Sequence, residues 1–200
     1  MSKKFKLGVI GSPIEHSLSP FIHSRFSRNE NINIEYLPYK VDEQDFDQFI
    51  KEFFSDKDSK GLNVTLPHKK KAAEIKGTIS REAKYINAVN TIVSDDKKIF
   101  LYSTDGIGFI NDMQNKNFNL NKKNILIIGA GAAAESVLYR LAKNEANHIT
   151  VLNRTEDRAN RLARKFSNMT SINTELNSQA PYDLIINGSS AGLTGGFKPI

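Results

Sequence analysis

The chain has 200 residues, of which 39% are hydrophobic and 25% charged, and its formal net charge is +6. This length and composition indicate a globular protein of one or two domains, and the absence of cysteine excludes disulfides and thiolate–metal sites. The N-terminus lacks the apolar region of a secretory signal, and the longest apolar run, 125–134, is too short to cross a bilayer. We therefore expect a cytoplasmic protein with no membrane partner.

The positive charge raises the question of a nucleic-acid partner. Nucleic-acid binders usually concentrate their basic residues on one face, whereas here the dense basic cluster is confined to 68–71 and the other lysines alternate with acids and Asn. We interpret the charge as a solvated surface that also attracts anionic small molecules. Binding to DNA or RNA is the weaker alternative, since it rests on the charge alone.

Short apolar runs alternate with amphipathic stretches through the first hundred residues. The amphipathic stretches predict helices over Pro20–Asn29 and Glu43–Phe54, and Pro67 is expected to begin a third helix at its first turn. The apolar runs predict strands over Phe5–Ile10, Ile34–Val41, Gly61–Thr65 and Val89–Val93. Strands separated by helices imply parallel pairing, so we expect a three-layer α/β domain with a mainly parallel sheet.

A polar segment without a sustained apolar period, Gln114–Lys123, predicts a domain boundary between residues 1–113 and residues 114–200. A second alternating unit follows, with helices predicted over Ala132–Lys143 and Glu156–Phe166. Strands are predicted over Asn124–Ile128, His148–Leu152, Thr170–Ile172 and Asp183–Ile186. The pattern is that of a partial Rossmann-type domain, because such sheets usually carry more than four strands.

A glycine turn joins the strand Asn124–Ile128 to the helix that follows it. Gly129 permits a tight turn, and Gly131 lets the backbone approach a pyrophosphate at the helix N-terminus. A lone G-x-G-x-x-A is a weak signal, but its place within a βαβ unit favours a dinucleotide site over a merely structural turn. The residues assigned to cofactor binding here are Gly129, Ala130, Gly131, Ala132 and Ala133.

The end of the next strand indicates which dinucleotide is bound. NAD sites place Asp or Glu there to hold the ribose 2′-hydroxyl, whereas this chain has Asn153, Arg154 and Thr155, with Arg158 one helical turn further on. Two arginines would hold a 2′-phosphate by charge-assisted hydrogen bonds. We therefore expect NADP(H) as the cofactor; the alternative is that both arginines are ordinary solvated helix residues.

Four polar segments of the first half, 11–20, 63–69, 87–91 and 103–108, follow strand-like runs. Ligands of parallel sheets bind beyond the carboxyl ends of the strands, so these side chains could converge there. Their hydroxyls, amides, lysine and aspartate suit a small substrate with several hydroxyls and a carboxylate. No carboxylate–histidine cluster with ligand spacing accompanies the histidines in these segments, so no metal is expected.

These segments carry the motifs G-S-P-I-E-H-S-L-S-P, N-V-T-L-P-H-K, A-V-N-T and T-D-G-I-G. Together with the glycine turn, N-R-T and the segment Asn187–Leu193, they resemble the shikimate dehydrogenase family over essentially the whole chain. Several motifs in the right order are more specific than any one alone. The resemblance implies reversible, NADP-dependent reduction of 3-dehydroshikimate to shikimate, a step of aromatic amino-acid biosynthesis.

The resemblance also implies individual roles. Lys69 would donate a proton to the ketone oxygen as hydride arrives, and Asp105 would orient its ammonium group. Only the resemblance selects Lys69 from its run of lysines, and Asp105 could instead cap a helix that begins at Gly106. The implied substrate-binding residues are Ser17, Ser19, Asn63, Thr65, Asn90 and Asp105, and Ser189 is an implied cofactor contact. Taken alone, the two serines read as a turn and helix cap before Pro20.

Members of the family continue through further strands and C-terminal helices that this chain does not match. We therefore expect weak or absent turnover from these 200 residues alone. Two alternatives stay open, namely a quinate/shikimate dehydrogenase that uses NAD and a non-catalytic fragment that keeps the binding sites. The expected oligomeric state is a monomer or a homodimer.

Overall fold

The computed structural model describes residues 4–144, 148–176 and 181–189. The chain divides into two compact units, Met1–Ser103 and Thr104–Ile200. Each unit is built on one sheet with helices packed against it, and the predicted α/β class is confirmed. The expected domain division between residues 113 and 114 stays a prediction.

The first unit contains six strands and three α-helices within its described residues. In chain order they are β1 (Phe5–Gly11), α1 (Ser19–Asn29), β2 (Ile34–Lys40), α2 (Phe46–Phe53), β3 (Ser59–Val64), β4 (Thr78–Ile79), α3 (Arg81–Ile86), β5 (Thr91–Asp95) and β6 (Lys98–Tyr102). The sheet order is β2-β1-β3-β5-β6-β4. Single 3-10 turns at Glu43–Asp45 and Lys71–Glu74 complete the unit.

The sheet of the first unit is mixed rather than uniformly parallel. β1 lies parallel to β2 and β3, and β4 lies parallel to β6, as the alternation of strands and helices predicts. However, β5 runs antiparallel to β3 and to β6. The reason is a hairpin, because Asp96 and Lys97 adopt positive φ values of 44° and 63° and form the two-residue turn that reverses a chain tightly.

Pro67 does not begin an α-helix, contrary to the prediction. The Thr65 carbonyl accepts a hydrogen bond from the His68 N–H at 2.9 Å, and the chain continues through turns to the 3-10 turn at Lys71–Glu74. Three consecutive lysines leave an apolar face too short to stabilise an α-helix by packing.

The core of the first unit lies between the sheet and α2. Phe46 is fully buried, and the remaining apolar side chains of α2 pack against the same cluster, as their shared side predicts. The cluster is built around strand residues such as Ile10, Leu62 and Ile92. By contrast, α1 has no buried residue and leaves Phe21 and Phe26 exposed.

The second unit has the predicted Rossmann-type arrangement. Its described elements are α4 (Asp105–Asn115), β7 (Asn124–Ile128), α5 (Ala132–Lys143), β8 (His148–Leu152), α6 (Glu156–Phe166), β9 (Ile172–Asn173) and β10 (Leu184–Asn187). The four strands found among the described residues are all parallel, in the order β10-β7-β8-β9. Residues of β7 and β8 are buried, as are Leu138 of α5 and Phe166 of α6, and α6 packs against β8.

In the part of the chain that the structure describes, no helix has the length and apolarity needed to traverse a membrane.

Candidate functional site

The polar loops of the first unit meet at one edge of its sheet. β1 and β3 end at this edge, and β5 begins there because it runs antiparallel to β3. Backbone hydrogen bonds tie the loops together: the Thr65 N–H donates to the Ile10 carbonyl at 3.0 Å, and the Val64 N–H donates to the Asn90 carbonyl at 2.8 Å. We call this edge, with the loops after β1, β3 and β6 and before β5, the polar edge.

Ser17 and Ser19 are half-buried in the loop that leads from β1 into α1. The Ser17 hydroxyl accepts a hydrogen bond from the Ser19 N–H at 3.3 Å. The N-cap of α1 is Leu18, which provides no side-chain cap. The helix-cap part of the interpretation of these serines is therefore wrong, whereas the turn is confirmed, because Ser17 closes a local turn beside the first helical residue.

Asn63, Thr91 and Asn90 form a connected row of side chains on the polar edge. The Asn63 Nδ2 donates to the Thr91 hydroxyl at 3.4 Å, and that hydroxyl donates to the Asn90 Oδ1 at 2.9 Å. Thr65 lies close to Gly11, where an added Cβ would come within 2.6 Å of the threonine methyl group. The structure thus brings Asn63, Thr65 and Asn90 to the same edge, and Thr91 joins the row.

Two aromatic residues that the motifs did not indicate, Tyr36 and His23, contact Asn63. The Tyr36 hydroxyl donates to the Asn63 Oδ1 at 2.8 Å, and the His23 ring stacks on Tyr36 with a centroid distance of 4.1 Å. Burial raises the pKa of Tyr36 to about 12, although a hydrogen bond with Ser19 opposes this shift. Burial also lowers the pKa of His23, which a hydrogen bond with Asn63 partly offsets.

The three consecutive lysines after Pro67 have different environments. Lys71 is held in the fold, because its Nζ donates to the Glu43 carbonyl at 2.8 Å and pairs with Asp47 at 3.2 Å. Lys70 is exposed, whereas Lys69 is half-buried and its carbonyl accepts from the Val89 N–H at 2.8 Å. That bond ties the backbone of Lys69 to the loop that precedes β5.

Asp105 belongs to the second unit, where it is the first residue of α4. Thr104 is the N-cap of this helix, so the alternative interpretation of Asp105 as the cap is wrong. The next residue, Gly106, donates its N–H to the Ser136 hydroxyl of α5 at 2.9 Å and thereby fixes the start of α4. The pairing of Asp105 with Lys69 stays a prediction.

The glycine turn between β7 and α5 has the geometry that the motif predicts. Gly129 has a φ of 110°, and a Cβ at this position would lie 2.8 Å from backbone atoms of Gly188 and Ser189. Gly131 is the N-cap of α5, and a Cβ added there would meet no described atom within 4 Å. The open space at the helix N-terminus suits a pyrophosphate, which free N–H groups and the helix dipole attract.

Asn153 holds the glycine turn to the end of β8. Its Oδ1 accepts from the Ala130 N–H at 3.1 Å, and its Nδ2 donates to the Thr155 carbonyl at 2.9 Å. The N–H of Ala130 is thereby directed to Asn153. Ala132 and Ala133 follow as the first, half-buried residues of α5.

Arg154 and Arg158 are exposed beside this turn. Within the described ranges neither guanidinium has an ion-pair partner, whereas Arg161 on the same helix pairs with Asp157. No carboxylate occupies the end of β8, where Leu152 is followed by Asn153. This arrangement suits a phosphate more than a ribose hydroxyl.

Ser189 follows β10 at the side of the glycine turn. Both its N–H and its hydroxyl donate to the Asn187 Oδ1, at 3.0 and 2.7 Å. The remainder of the predicted motif, 190–193, lies outside the described residues. Within the described chain there is no group of three or more His, Asp or Glu side chains that could hold a metal ion.

Comparison with known proteins adds two family matches and a close relative. The model of the shikimate dehydrogenase substrate binding domain matches residues 9–92, and that of shikimate / quinate 5-dehydrogenase matches residues 112–193. A protein named shikimate dehydrogenase (NADP(+)) from Nitrosopumilus maritimus is 37% identical over 206 residues, which cover 100% of this chain and 74% of that protein.

Two solved structures have the same fold. Shikimate dehydrogenase from Aquifex aeolicus matches with a TM-score of 0.86 at 32% identity, over 96% of this chain and 71% of that one. Shikimate 5-dehydrogenase from Thermus thermophilus, in complex with NADP(H) and shikimate, matches with a TM-score of 0.82 at 28% identity, over 94% and 70% of the two chains.

A Rossmann-type unit with an open glycine turn is typical of dinucleotide-binding proteins, and the relatives make the chain an NADP-dependent oxidoreductase. The motifs and the relatives then specify the group within that class. The chain belongs to the shikimate dehydrogenase family, as the resemblance of its motifs predicted.

Proposed function

We propose that this chain catalyses the reversible, NADP-dependent reduction of 3-dehydroshikimate to shikimate. The observation that carries the proposal is the convergence of hydroxyl and amide side chains from separate loops on the polar edge, in a chain of this family. Such an edge suits a small ring that bears several hydroxyls and one carboxylate, because each oxygen needs a hydrogen-bond partner when water is displaced.

The polar edge supplies the substrate contacts in this proposal. Ser17 and Ser19 bind the carboxylate through their hydroxyl donors, since both are half-buried and lie side by side. Asn63, Thr65 and Asn90 bind the ring hydroxyls. Amides and hydroxyls both donate and accept, which matches the dual character of a hydroxyl ligand.

The second unit binds NADP(H) in this proposal, with the pyrophosphate at the N-terminus of α5. Gly131 leaves room for the backbone to approach it. Arg154 and Arg158 bind the 2′-phosphate, because both are exposed and have no ion-pair partner within the described residues. When bound, the reduced nicotinamide supplies a hydride equivalent, two electrons and a proton, to the ketone carbon.

Lys69 and Asp105 complete the reaction in this proposal. As the C=O double bond becomes a C–O single bond, the Lys69 ammonium gives a proton to the oxygen, so that the ketone becomes an alcohol. Asp105 orients that ammonium and accepts a substrate hydroxyl. General acid–base catalysis of this kind contributes a factor of about 10²–10⁴ to the rate.

The experiment is an NADPH-oxidation assay with 3-dehydroshikimate, combined with separate calorimetric titrations of shikimate and NADPH. Lys69→Ala should lower kcat by about 10²-fold or more while both ligands still bind. Lys70→Ala is the matched control, since Lys70 is exposed in the same run, and it should leave kcat within about twofold. Where the wild type shows measurable turnover, an equal turnover by Lys69→Ala would exclude Lys69 as the proton donor.

A second experiment tests the cofactor. Arg154→Ala and Arg158→Ala should each weaken NADPH binding by about 10- to 100-fold and leave NADH binding nearly unchanged. Arg161→Ala is the control, because this arginine pairs with Asp157. Equal affinity of the wild type for NADH and NADPH would favour the alternative, a quinate/shikimate dehydrogenase that uses NAD.

The same titrations distinguish catalysis from mere binding. Binding of both ligands without NADPH oxidation would favour the non-catalytic fragment, and binding of neither would overturn the proposal. A monomer or homodimer in the cytoplasm is part of the proposal, and the absence of cysteine is compatible with a reducing compartment.

A further inference from the structure

Tyr36 on β2 and His23 on α1 form a stacked pair behind Asn63. Their rings are 9° from parallel with centroids 4.1 Å apart, and both residues are half-buried. The Tyr36 hydroxyl donates to the Asn63 Oδ1 at 2.8 Å, and His23 also hydrogen-bonds the Asn63 side chain. The proposed function assigns no role to either aromatic residue.

The two contacts decide which way the Asn63 amide faces. A primary amide has an accepting oxygen and a nitrogen with two hydrogens, and the Tyr36 hydroxyl occupies the oxygen side. The nitrogen is therefore turned the other way, where it donates one hydrogen to the Thr91 hydroxyl at 3.4 Å. Its second hydrogen is a donor that the same orientation presents to a ligand.

The orientation of the Asn63 amide also determines the direction of the next hydrogen bond in the row. Because the Thr91 hydroxyl receives a hydrogen from Asn63, it directs its own hydrogen to the Asn90 Oδ1 at 2.9 Å. The Asn90 amide oxygen is thereby an acceptor in the same row. The Tyr36 hydroxyl, the donor at the start of the row, thus fixes which side of the Asn63 amide faces Thr91.

Tyr36 keeps its donor hydrogen across the whole physiological range. Burial raises the pKa of its phenol to about 12, so the hydroxyl does not ionise at neutral pH. This property suits a fixed donor, and it separates Tyr36 from the proton transfer that is assigned to Lys69.

We infer that Tyr36, backed by the stacked His23 ring, is a positioning residue that holds Asn63 with its amide nitrogen towards the substrate. Asn63 therefore presents a hydrogen-bond donor there, which favours ligands with an oxygen that can accept it. The inference rests on the proposed function, because it takes shikimate as the ligand of the polar edge.

The test is a double-mutant cycle read by calorimetric titration of shikimate. Tyr36→Phe removes the hydroxyl and keeps the ring that stacks on His23. It should raise the Kd for shikimate by about 3- to 10-fold and leave the Kd for NADPH unchanged. In an Asn63→Ala background the same change should have less than a 1.5-fold effect, because Tyr36 acts through Asn63.

A matched control distinguishes an effect of positioning Asn63 from a general effect of removing a tyrosine hydroxyl from β2. Tyr39→Phe removes a hydroxyl from the same strand, where the Tyr39 ring packs against Phe49 and Phe53, and it should leave the Kd for shikimate unchanged. A second readout needs no ligand, since Tyr36→Phe should shift the NMR signals of the Asn63 side-chain amide while Tyr39→Phe should not.

The inference is overturned if Tyr36→Phe binds shikimate with the same Kd as the wild type. It is also overturned if Tyr36→Phe raises the Kd by an equal factor in the Asn63→Ala background. If the wild type binds shikimate but the cycle shows no coupling, this inference alone fails. If the wild type binds no shikimate, the proposed function fails and the positioning role fails with it.

Discussion

Gly129 and Gly131 stand two residues apart in the glycine turn, and replacing each by alanine should have opposite consequences for folding and binding. At Gly129 the φ of 110° is one that side chains rarely adopt, and the added Cβ would lie 2.8 Å from the Gly188 carbonyl carbon and the Ser189 nitrogen. These neighbours are backbone atoms, so they cannot swing aside as the end of a flexible side chain can. Gly131 has an ordinary φ of −91° and open space around it.

The expected loss of stability in Gly129→Ala has two parts. A residue held in an unfavourable backbone region costs about 1–3 kcal/mol, and overpacking against rigid neighbours costs about 1–3 kcal/mol. We expect a loss of about 2–6 kcal/mol in the free energy of unfolding, which lowers Tm by at least about 8 °C in a unit of this size. For Gly131→Ala the loss should be under about 1 kcal/mol, the usual difference between glycine and alanine at an N-cap.

The assay is urea denaturation followed by circular dichroism, with calorimetric titration of NADPH on each folded variant. Gly131→Ala should keep its urea midpoint near that of the wild type but weaken NADPH binding by about tenfold or more, since the methyl group would occupy space that the pyrophosphate needs. Unchanged stability of Gly129→Ala would refute the described contact with Gly188, and unchanged NADPH affinity of Gly131→Ala would refute the placement of the pyrophosphate.

Three further changes test other contacts. Gly108 lies exposed in α4, and no described atom lies within 4 Å of a Cβ added to it. Gly108→Ala should therefore raise the free energy of unfolding by about 0.5–1 kcal/mol, and an unchanged or lower Tm would contradict this. Glu135 is buried in α5 and pairs with Lys165 of α6. Lys165→Met should lower the free energy of unfolding by about 1–3 kcal/mol, and adding Glu135→Gln should recover part of this loss. Chemical denaturation of the single and double variants would measure both changes. The Asn124 N–H and Lys123 lower the pKa of Asp183 below its ordinary 3.8, so its contribution to stability is present above about pH 4 and is lost as the pH falls through the folded-state pKa. The stability difference between wild type and Asp183→Asn should therefore shrink in urea titrations below about pH 4, and a constant difference would argue against this contact.

The second unit was more predictable than the first. The four elements around the glycine turn, β7, α5, β8 and α6, have the bounds that the apolar periodicity predicts, because buried parallel strands and amphipathic helices carry strong and different periods. The ends of the shorter β9 and β10 differ from their predicted bounds by one or two residues, since element ends depend on tertiary contacts.

In the first unit the direction of β5 was not predictable. Alternation of apolar and polar residues is the same in parallel and antiparallel strands, so the pattern in Thr91–Asp95 contains no information about direction. The reversal depends on Asp96 and Lys97 adopting positive φ, and this pair lacks the Gly that usually marks such turns. The strand β6 was not predicted either, because the turn that separates it from β5 carries no Gly.

The motifs identified the residues of the polar edge but not what orients them. Tyr36 and Asn63 are 27 residues apart, and neither periodicity nor spacing indicates a contact at that separation. The partner of a polar side chain is set by the register of β1 between β2 and β3, which is a property of the assembled sheet.

The hairpin between β5 and β6 has a practical consequence for engineering. Its turn, Asp96–Lys97, lies at the opposite end of β5 from the polar edge, a strand length of about 17 Å away, and it is exposed. Extra residues or a fluorescent label attached there should leave the ligand contacts undisturbed, so the hairpin offers a permissive handle for observing binding. Chain length can vary at this tip without altering the chemistry performed at the other end.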